Sequence, residues 1–153
     1  MITLTNVIDR ARKCQVYADT AMYTNDGKYR FLTSDVIFEL SDKRILHIKR
    51  GFVWDENSIP WLLQPLFPKS GKYAVAALVH DALYYKTETT RDFADKEFKI
   101  WMKALKIKSS QIWWRSFIVN VLGWTYWNKN INNPSIRCKN NRKLIKIYEK
   151  TTN

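Results

Sequence analysis

The histidine–aspartate step in His80-Asp-Ala-Leu-Tyr84 is the part of this chain best suited to chemistry. His80 closes an apolar run, where a histidine costs free energy unless its polar atoms are paired or used. A carboxylate bonded to one ring nitrogen fixes the tautomer, which lets the other nitrogen act as a base on water. Asp95, in Ala-Asp-Lys-Glu-Phe, fits the role of that carboxylate. We therefore predict His80 and Asp95 as catalytic residues.

Two helices must bring these residues together. The sequence predicts one helix over residues 71–85 and another over 90–105, with a threonine N-cap at the start of the second. A tight link at 86–89 makes the second helix antiparallel to the first. This arrangement can return Asp95 alongside His80.

Tyr84 and Arg91 lie at helical-turn spacing from the same residues. Tyr84 follows His80 by one turn and Arg91 precedes Asp95 by one, so neighbouring side chains can share a face. We predict that Tyr84 and Arg91 support the site, because one helix face rarely keeps so many polar groups. Two simpler interpretations stay open: the His80–Asp81 step only packs and caps, and Arg91 forms an ordinary helix ion pair with Asp95.

An apolar loop upstream, which carries three of the four prolines, supplies the remaining candidates. We predict a metal site formed by Asp55 and Asp81, with Ser58 and Pro60 supporting it. Two alternatives stay open: Asp55 meets His80 instead of a cation, and Asp81 fixes the adjacent loop instead of binding a metal. The simpler interpretation is a turn in which Asp55 or Ser58 caps backbone amides ahead of the proline. No nucleophile elbow surrounds Ser58, so its predicted role is positioning rather than nucleophilic attack.

The predicted fold is α+β, with a small N-terminal antiparallel β-sheet packed on about three α-helices. Turn residues at 25–27 and 41–43 separate runs of β-forming residues, which predicts two hairpins in the N-terminal third. The third helix is predicted over 109–128. Residues 136–148 fit either a strand or a short basic helix.

Positive charge is concentrated in the C-terminal third. The formal net charge is +12, and the chain from Lys99 onward carries twelve Lys or Arg against a single acid, Glu149. We predict one α+β domain over residues 1–130 and a basic tail over 131–153. The tail offers Arg137, Lys139, Arg142, Lys143 and Lys146. Such a surface suits anionic lipid, nucleic acid or an acidic protein, and equally a solvated face that aids solubility.

Membrane and secretion signals are not predicted. Residues 1–9 contain an acid where a signal peptide keeps its apolar core. The apolar segment 112–127 is interrupted by Arg115 and Asn120, and it falls short of the roughly 20 residues of a membrane span. Its four tryptophans pack in the core or on a partner, or anchor the chain at a membrane surface.

An ordered set of residues between Tyr29 and Trp127 resembles the domain-of-unknown-function family 1353, which is found widely in bacteriophages and prophages. The residues that carry the resemblance are Gly51, Phe52, Asp55, Ser58, Ile59, Pro60, Gly71, Tyr73, Ala76, His80, Asp81, Leu83, Tyr84, Arg91, Ala94, Asp95, Phe98 and Met102. Trp54 departs from the family pattern, which has a threonine in Phe-x-Thr-Asp. The resemblance implies a phage origin, a location in the virion or the host cytoplasm, and little established chemistry.

The paired helices are also distantly similar to phospholipase A2, whose short prokaryotic and parvoviral forms carry His-Asp-x-x-Tyr and Ala-Asp-x-x-Phe on consecutive helices. This likeness implies that His80 activates water, Asp95 orients His80, and Asp81 binds Ca²⁺. The chain lacks the glycine-rich calcium loop and the stapling cysteines of those enzymes. By this likeness, the loop around Asp55 would take the place of the calcium loop.

Three hypotheses for the function therefore follow. The first is a phage-encoded, metal-assisted hydrolase in which His80 activates water against a lipid ester or a related bond. The alternative is a noncatalytic phage virion, tail or host-interaction protein, with other virion proteins as partners. A third hypothesis is nucleic-acid binding through the basic C-terminal third.

Overall fold

The computed structural model of the protein describes residues 21–23, 29–54 and 73–150. These residues form six strands: β1 (Ala21–Tyr23), β2 (Arg30–Leu32), β3 (Val36–Glu39), β4 (Ile45–Ile48), β5 (Val53–Trp54) and β6 (Ile145–Tyr148). They also form four helices: α1 (Ala74–Lys86), α2 (Arg91–Ala104), α3 (Ser109–Asn132) and α4 (Ile136–Lys143). The candidate loop residues Asp55, Ser58 and Pro60, and the turn predicted at 25–27, lie outside the described residues.

The strands form two three-stranded antiparallel sheets, in the orders β1-β2-β5 and β3-β4-β6. One predicted hairpin is confirmed as β3 and β4, which pair Val36 with Ile48. Val36 and Phe38 are both buried, because alternate side chains of a strand point to the same face. Lys43, at a φ of 71°, lies in the turn between β3 and β4. Together with the helices, these sheets confirm the predicted α+β class.

Helices α1 and α2 follow each other across a short link, as predicted. Nearly all residues from 74 to 84 are buried, so α1 is a central helix of the core. It ends at Lys86 and is capped by Thr87, whose φ of 55° is left-handed and whose amide donates to the Leu83 carbonyl in the last turn. The predicted threonine cap of α2 is Thr90, whose hydroxyl accepts a hydrogen bond from the Phe93 amide at 3.2 Å.

A buried carboxylate, Glu97, ties α2 to the β3–β4 hairpin. One of its oxygens accepts the Ser41 backbone amide at 3.0 Å, and the other accepts the Trp101 indole N–H at 3.0 Å. Phe38 of β3 meets the ring of Trp101 edge to face, with 5.4 Å between the ring centroids. The helix that carries Asp95 is thereby fixed against the second sheet.

Helix α3 is longer than the sequence predicted. It continues to Asn132, beyond the predicted end at residue 128, because tertiary contacts hold the polar last turn. The side-chain amide of Asn130 donates to the Tyr84 carbonyl at 3.0 Å, and Arg142 donates to the Asn130 carbonyl. None of the helices in the described part of the chain is both long and apolar enough to cross a membrane.

Residues 136–148 contain both structures that the sequence left open, since α4 is followed directly by β6. β6 pairs along the full length of β4, from Ile145 opposite Ile48 to Tyr148 opposite Ile45. The domain boundary predicted at residue 130 stays a prediction. This segment nevertheless completes the second sheet.

The basic residues of that segment do not all face solvent. Arg142 donates from Nε to the Tyr85 carbonyl at 2.7 Å, and the guanidinium of Arg137 lies 4.4 Å from the centroid of the Tyr29 ring. Lys139, Lys143 and Lys146 are exposed. Two of the five predicted cations of the tail therefore contact the fold, and the other three are exposed.

Candidate functional site

His80 and Asp95 meet where α1 and α2 pack together. Nε2 of His80 lies 3.0 Å from Oδ1 of Asp95, within hydrogen-bond distance. This is the contact that the antiparallel helix pair predicted. Both residues are held by helical backbone on each side, so their separation depends on helix packing rather than on a loop.

Tyr84 completes a three-residue cluster around the same carboxylate oxygen. Its hydroxyl donates to Oδ1 of Asp95 at 2.6 Å. Burial, followed by the bond to Asp95, raises the pKa of Tyr84 above its ordinary value of 10.0, so the phenol stays a neutral donor. Because an ionised carboxylate only accepts hydrogen bonds, the ring nitrogen that faces Asp95 must be the donor. A neutral His80 therefore carries its proton on Nε2 and its lone pair on Nδ1.

Asp81 lies on the other side of the imidazole. Its Oδ1 is 3.7 Å from Nδ1 of His80, close enough for charge attraction but beyond a direct hydrogen bond. Burial of the ring lowers the pKa of His80, but the carboxylates of Asp81 and Asp95 outweigh burial and raise that pKa above its ordinary value of 6.5. His80 is therefore a stronger base than a histidine in water.

Aromatic rings surround the cluster. The ring of Phe98 lies 4.7 Å and that of Tyr84 lies 4.2 Å from the His80 ring, measured between centroids. Trp127 of α3 packs edge to face on Tyr84 at 5.1 Å. Because apolar surroundings screen charges poorly, the attraction between His80 and its carboxylates is stronger here than in water.

Gly123 is a part of the site that the sequence analysis missed. A Cβ at this position would lie 2.5 Å from the Tyr84 hydroxyl oxygen, so only glycine leaves room for that hydroxyl. The available signal was a glycine inside an apolar helix, where it costs about 1 kcal/mol relative to alanine and so needs a packing reason.

The cluster opens into a cavity of about 250 Å³. Its lining comes from α1, α2, α3 and the start of α4: Tyr73, Ala77, His80, Asp81, Tyr84, Tyr85, Phe98, Ile118, Val119, Leu122, Gly123, Tyr126, Lys129, Asn130, Ser135 and Arg137. The wall is mainly apolar and aromatic, with two cations, Lys129 and Arg137, and the His80–Asp81 pair. This composition is typical of pockets for small amphiphilic ligands.

Arg91 bonds to the neighbouring helix α3. Its guanidinium donates to the Asn120 backbone carbonyl at 3.3 Å and so links α2 to α3. Among the described ion pairs none joins Arg91 to Asp95, although the two residues are one turn apart. Arg91 supports the site by holding α3 against it rather than by contacting Asp95.

The described residues do not assemble a metal site. Within residues 29–54 and 73–150 there is no group of three or more His, Cys, Asp or Glu side chains able to hold a metal ion. Ca²⁺ takes about six to eight oxygen ligands, whereas Asp81 is the one predicted ligand in this part of the chain. Asp55, the other predicted ligand, lies outside the described residues.

Comparison with known proteins identifies the family. Residues 31–119 match the family described as Protein of unknown function (DUF1353), and this range is more than half of the chain. The chain belongs to this family. In this DUF1353 protein the match includes β3, β4, α1, α2 and the His80, Tyr84 and Asp95 cluster, and it ends before Gly123. No curated protein and no solved structure matches the chain.

Proposed function

We propose that this DUF1353 protein is a phage-encoded hydrolase in which His80 activates a water molecule. The observation that carries the proposal is the pair of bonds from His80 and Tyr84 to one oxygen of Asp95 beside a cavity. Asp95 and Tyr84 act as positioning residues, because they fix the ring and its tautomer. The arrangement of a base oriented by a carboxylate is suited to general-base hydrolysis.

The reaction follows from the assignment of Nδ1 as the base. Nδ1 removes a proton from water while the water oxygen bonds to the carbonyl carbon of an ester. The resulting imidazolium is stabilised by Asp95 and Asp81 on its two sides. When the carbon–oxygen bond to the leaving group breaks, His80 returns the proton to the departing alkoxide.

The cavity favours an anionic amphiphile as substrate. Its apolar wall can cover an acyl chain, while Lys129 and Arg137 can meet a phosphate. An ester of an anionic phospholipid combines these parts with a bond that water can cleave. This substrate class agrees with the distant likeness of the helix pair to phospholipase A2.

The test uses dispersed short-chain phosphatidylglycerol, with Ca²⁺ present, and measures released fatty acid. We expect hydrolysis by the natural protein and a loss of about a hundredfold or more in both His80→Gln and Asp95→Asn, the scale of a missing general base. His47→Gln is the matched control, because His47 forms a separate pair with Asp35 at 2.8 Å. The proposal fails if the natural protein releases no fatty acid or if His80→Gln matches His47→Gln.

A noncatalytic phage component is the second candidate. It is favoured by the low exposure of His80, 8%, which also fits a cluster that only pins the helices together. In that case the protein would be found in stoichiometric amounts in purified virions. His80→Gln would then lower stability without changing any reaction.

A further inference from the structure

One face of α3 is apolar, aromatic and exposed. Five large side chains there are each at least 50% exposed: Trp113, Trp114, Phe117, Val121 and Trp124. At about 100° per residue they fall within one sector of about 100°, along about 16 Å of helix. Soluble proteins rarely expose so large a contiguous apolar surface unless it binds something. We call these five residues the α3 stripe.

The rings of the stripe pack on one another, and the stripe carries no charge. Trp113 and Phe117 stack with an interplanar angle of 7° and 5.8 Å between centroids, and Trp114 meets Trp113 edge to face at 4.9 Å. The two charged residues of α3, Arg115 and Lys129, fall outside the sector of the stripe by helical geometry. The stripe therefore offers rigid rings with indole N–H groups, and no charge interrupts it.

Positive charge lies beside the stripe. A cleft of about 550 Å³ between α2 and α3 has stripe residues Trp113 and Phe117 on one side and exposed Lys99 and Lys103 on the other. The two lysines are one turn apart on α2. None of the described ion pairs involves either of them. A surface with an apolar ridge and flanking ammonium groups has the two parts that a charged amphiphile requires.

We propose that the α3 stripe, with Lys99 and Lys103, docks the protein on an anionic lipid surface. Tryptophan and phenylalanine side chains enter the boundary between headgroups and acyl chains, and the two lysines meet lipid phosphates. Single-stranded nucleic acid fits this surface less well. Such a ligand needs cations along the row of rings to meet its phosphates, whereas no cation lies within the stripe, and Trp113 and Phe117 each use one ring face in their own stack.

Docking does not depend on the proposed hydrolysis. The stripe and the His80 cavity use different faces of α3, since Val119 and Gly123 line the cavity and the stripe residues do not. Hydrolysis of a dispersed short-chain lipid requires only the cavity. Failure of docking and failure of catalysis are therefore separate results.

The experiment measures flotation of the full chain with vesicles of phosphatidylcholine alone and with an equimolar mixture of phosphatidylcholine and phosphatidylglycerol. We expect binding to the mixed vesicles that weakens with salt, and little binding to the neutral ones. Removing two lysines near an anionic surface should lower the affinity about thirtyfold, so Lys99→Gln/Lys103→Gln should show a loss of that size. Trp113→Ser/Phe117→Ser should abolish flotation.

Two matched controls separate docking from general adhesion. Lys139→Gln/Lys146→Gln removes the same charge from exposed positions elsewhere, and Ile136→Ser removes an exposed apolar side chain. Both controls should bind within about twofold of the natural protein, less than the effect of one lysine near the surface. Equal losses in the control and test variants would overturn the proposal.

A different ligand on the α3 stripe would give different experimental results. A dimer that Trp113→Ser/Phe117→Ser dissociates, in a protein that does not float with vesicles, would assign the stripe to a second copy and refute lipid docking. Stripe-dependent binding to single-stranded DNA without vesicle binding would refute it equally. Stripe-dependent flotation by a His80→Gln protein would support docking even if hydrolysis fails.

Discussion

Replacing Gly123 by alanine tests whether the Tyr84 hydroxyl is held on Asp95. The new Cβ would lie 2.5 Å from that hydroxyl oxygen, but 3.4 and 3.6 Å from the nearest ring carbons. The methyl group and the hydroxyl therefore compete for one space, while the ring itself is at ordinary or slightly tight contact. Tyr84→Phe removes the competing atom and leaves the rest of the packing in place.

Gly123→Ala should lower the free energy of unfolding of the natural protein and raise that of Tyr84→Phe. In a helix interior, alanine is about 1 kcal/mol more stable than glycine. In the natural protein this gain is exceeded, because the methyl group either overpacks against the hydroxyl, at about 1–3 kcal/mol, or displaces it and loses a bond to a carboxylate worth about 1.5–3 kcal/mol. Gly123→Ala should thus destabilise the natural protein by about 0.5–2 kcal/mol, and stabilise Tyr84→Phe by up to about 1 kcal/mol.

Urea unfolding of the four proteins in this double-mutant cycle measures the effect. The coupling free energy between the two substitutions should be about 1.5–3 kcal/mol, which is in the upper part of the range for residues in contact. The m-value should stay constant, so that changes in midpoint report stability. If Gly123→Ala stabilises both backgrounds equally, the hydroxyl does not occupy the space beside Gly123 and the described site geometry is wrong.

Three further predictions concern charge. The pKa of His80 is raised above 6.5 in the folded protein, so the charged ring contributes its full stabilisation below pH 6.5 and loses it as the pH rises through the folded pKa. The urea midpoint of the natural protein should therefore fall over this pH range, and the midpoint of His80→Gln should not show that fall. Asp81→Asn should lower the pKa of His80 and so move the pH–rate profile of hydrolysis to lower pH. If Asp81 binds Ca²⁺ instead, the same variant should need a higher Ca²⁺ concentration for hydrolysis. Glu97→Ala leaves the Ser41 amide and the Trp101 indole N–H without their acceptor. It should lower the free energy of urea unfolding by about 2–5 kcal/mol, and a decrease under about 1 kcal/mol would contradict the buried hydrogen bonds of Glu97.

The contact between His80 and Asp95 was predictable because it depends on local rules. Residues one turn apart share a helix face, and a short link between two helices fixes their direction. The Thr90 cap and the β3–β4 hairpin depend on similarly local signals, a capping hydroxyl and alternating apolar residues. These features need no knowledge of distant parts of the chain.

The features that the sequence did not reveal depend on distant contacts. The last turn of α3 is polar and is held by Tyr84 and Arg142, so its own composition predicted a loop. Gly123 is explained only by a tyrosine on another helix. Arg91 could bond to its own helix, and only the packing of α3 shows that it bonds to the Asn120 carbonyl instead.

The pairing of β6 with β4 has a consequence for folding during synthesis. The β3–β4 hairpin can form as soon as it is made, but the free edge of β4 gains its partner only when residues 145–148 have been added. Until then Ile45–Ile48 presents unpaired backbone groups, and such an edge promotes association between chains. A fragment limited to the family-matched residues 31–119 would lack β6 and keep that edge open, so we expect it to aggregate more readily than the full chain.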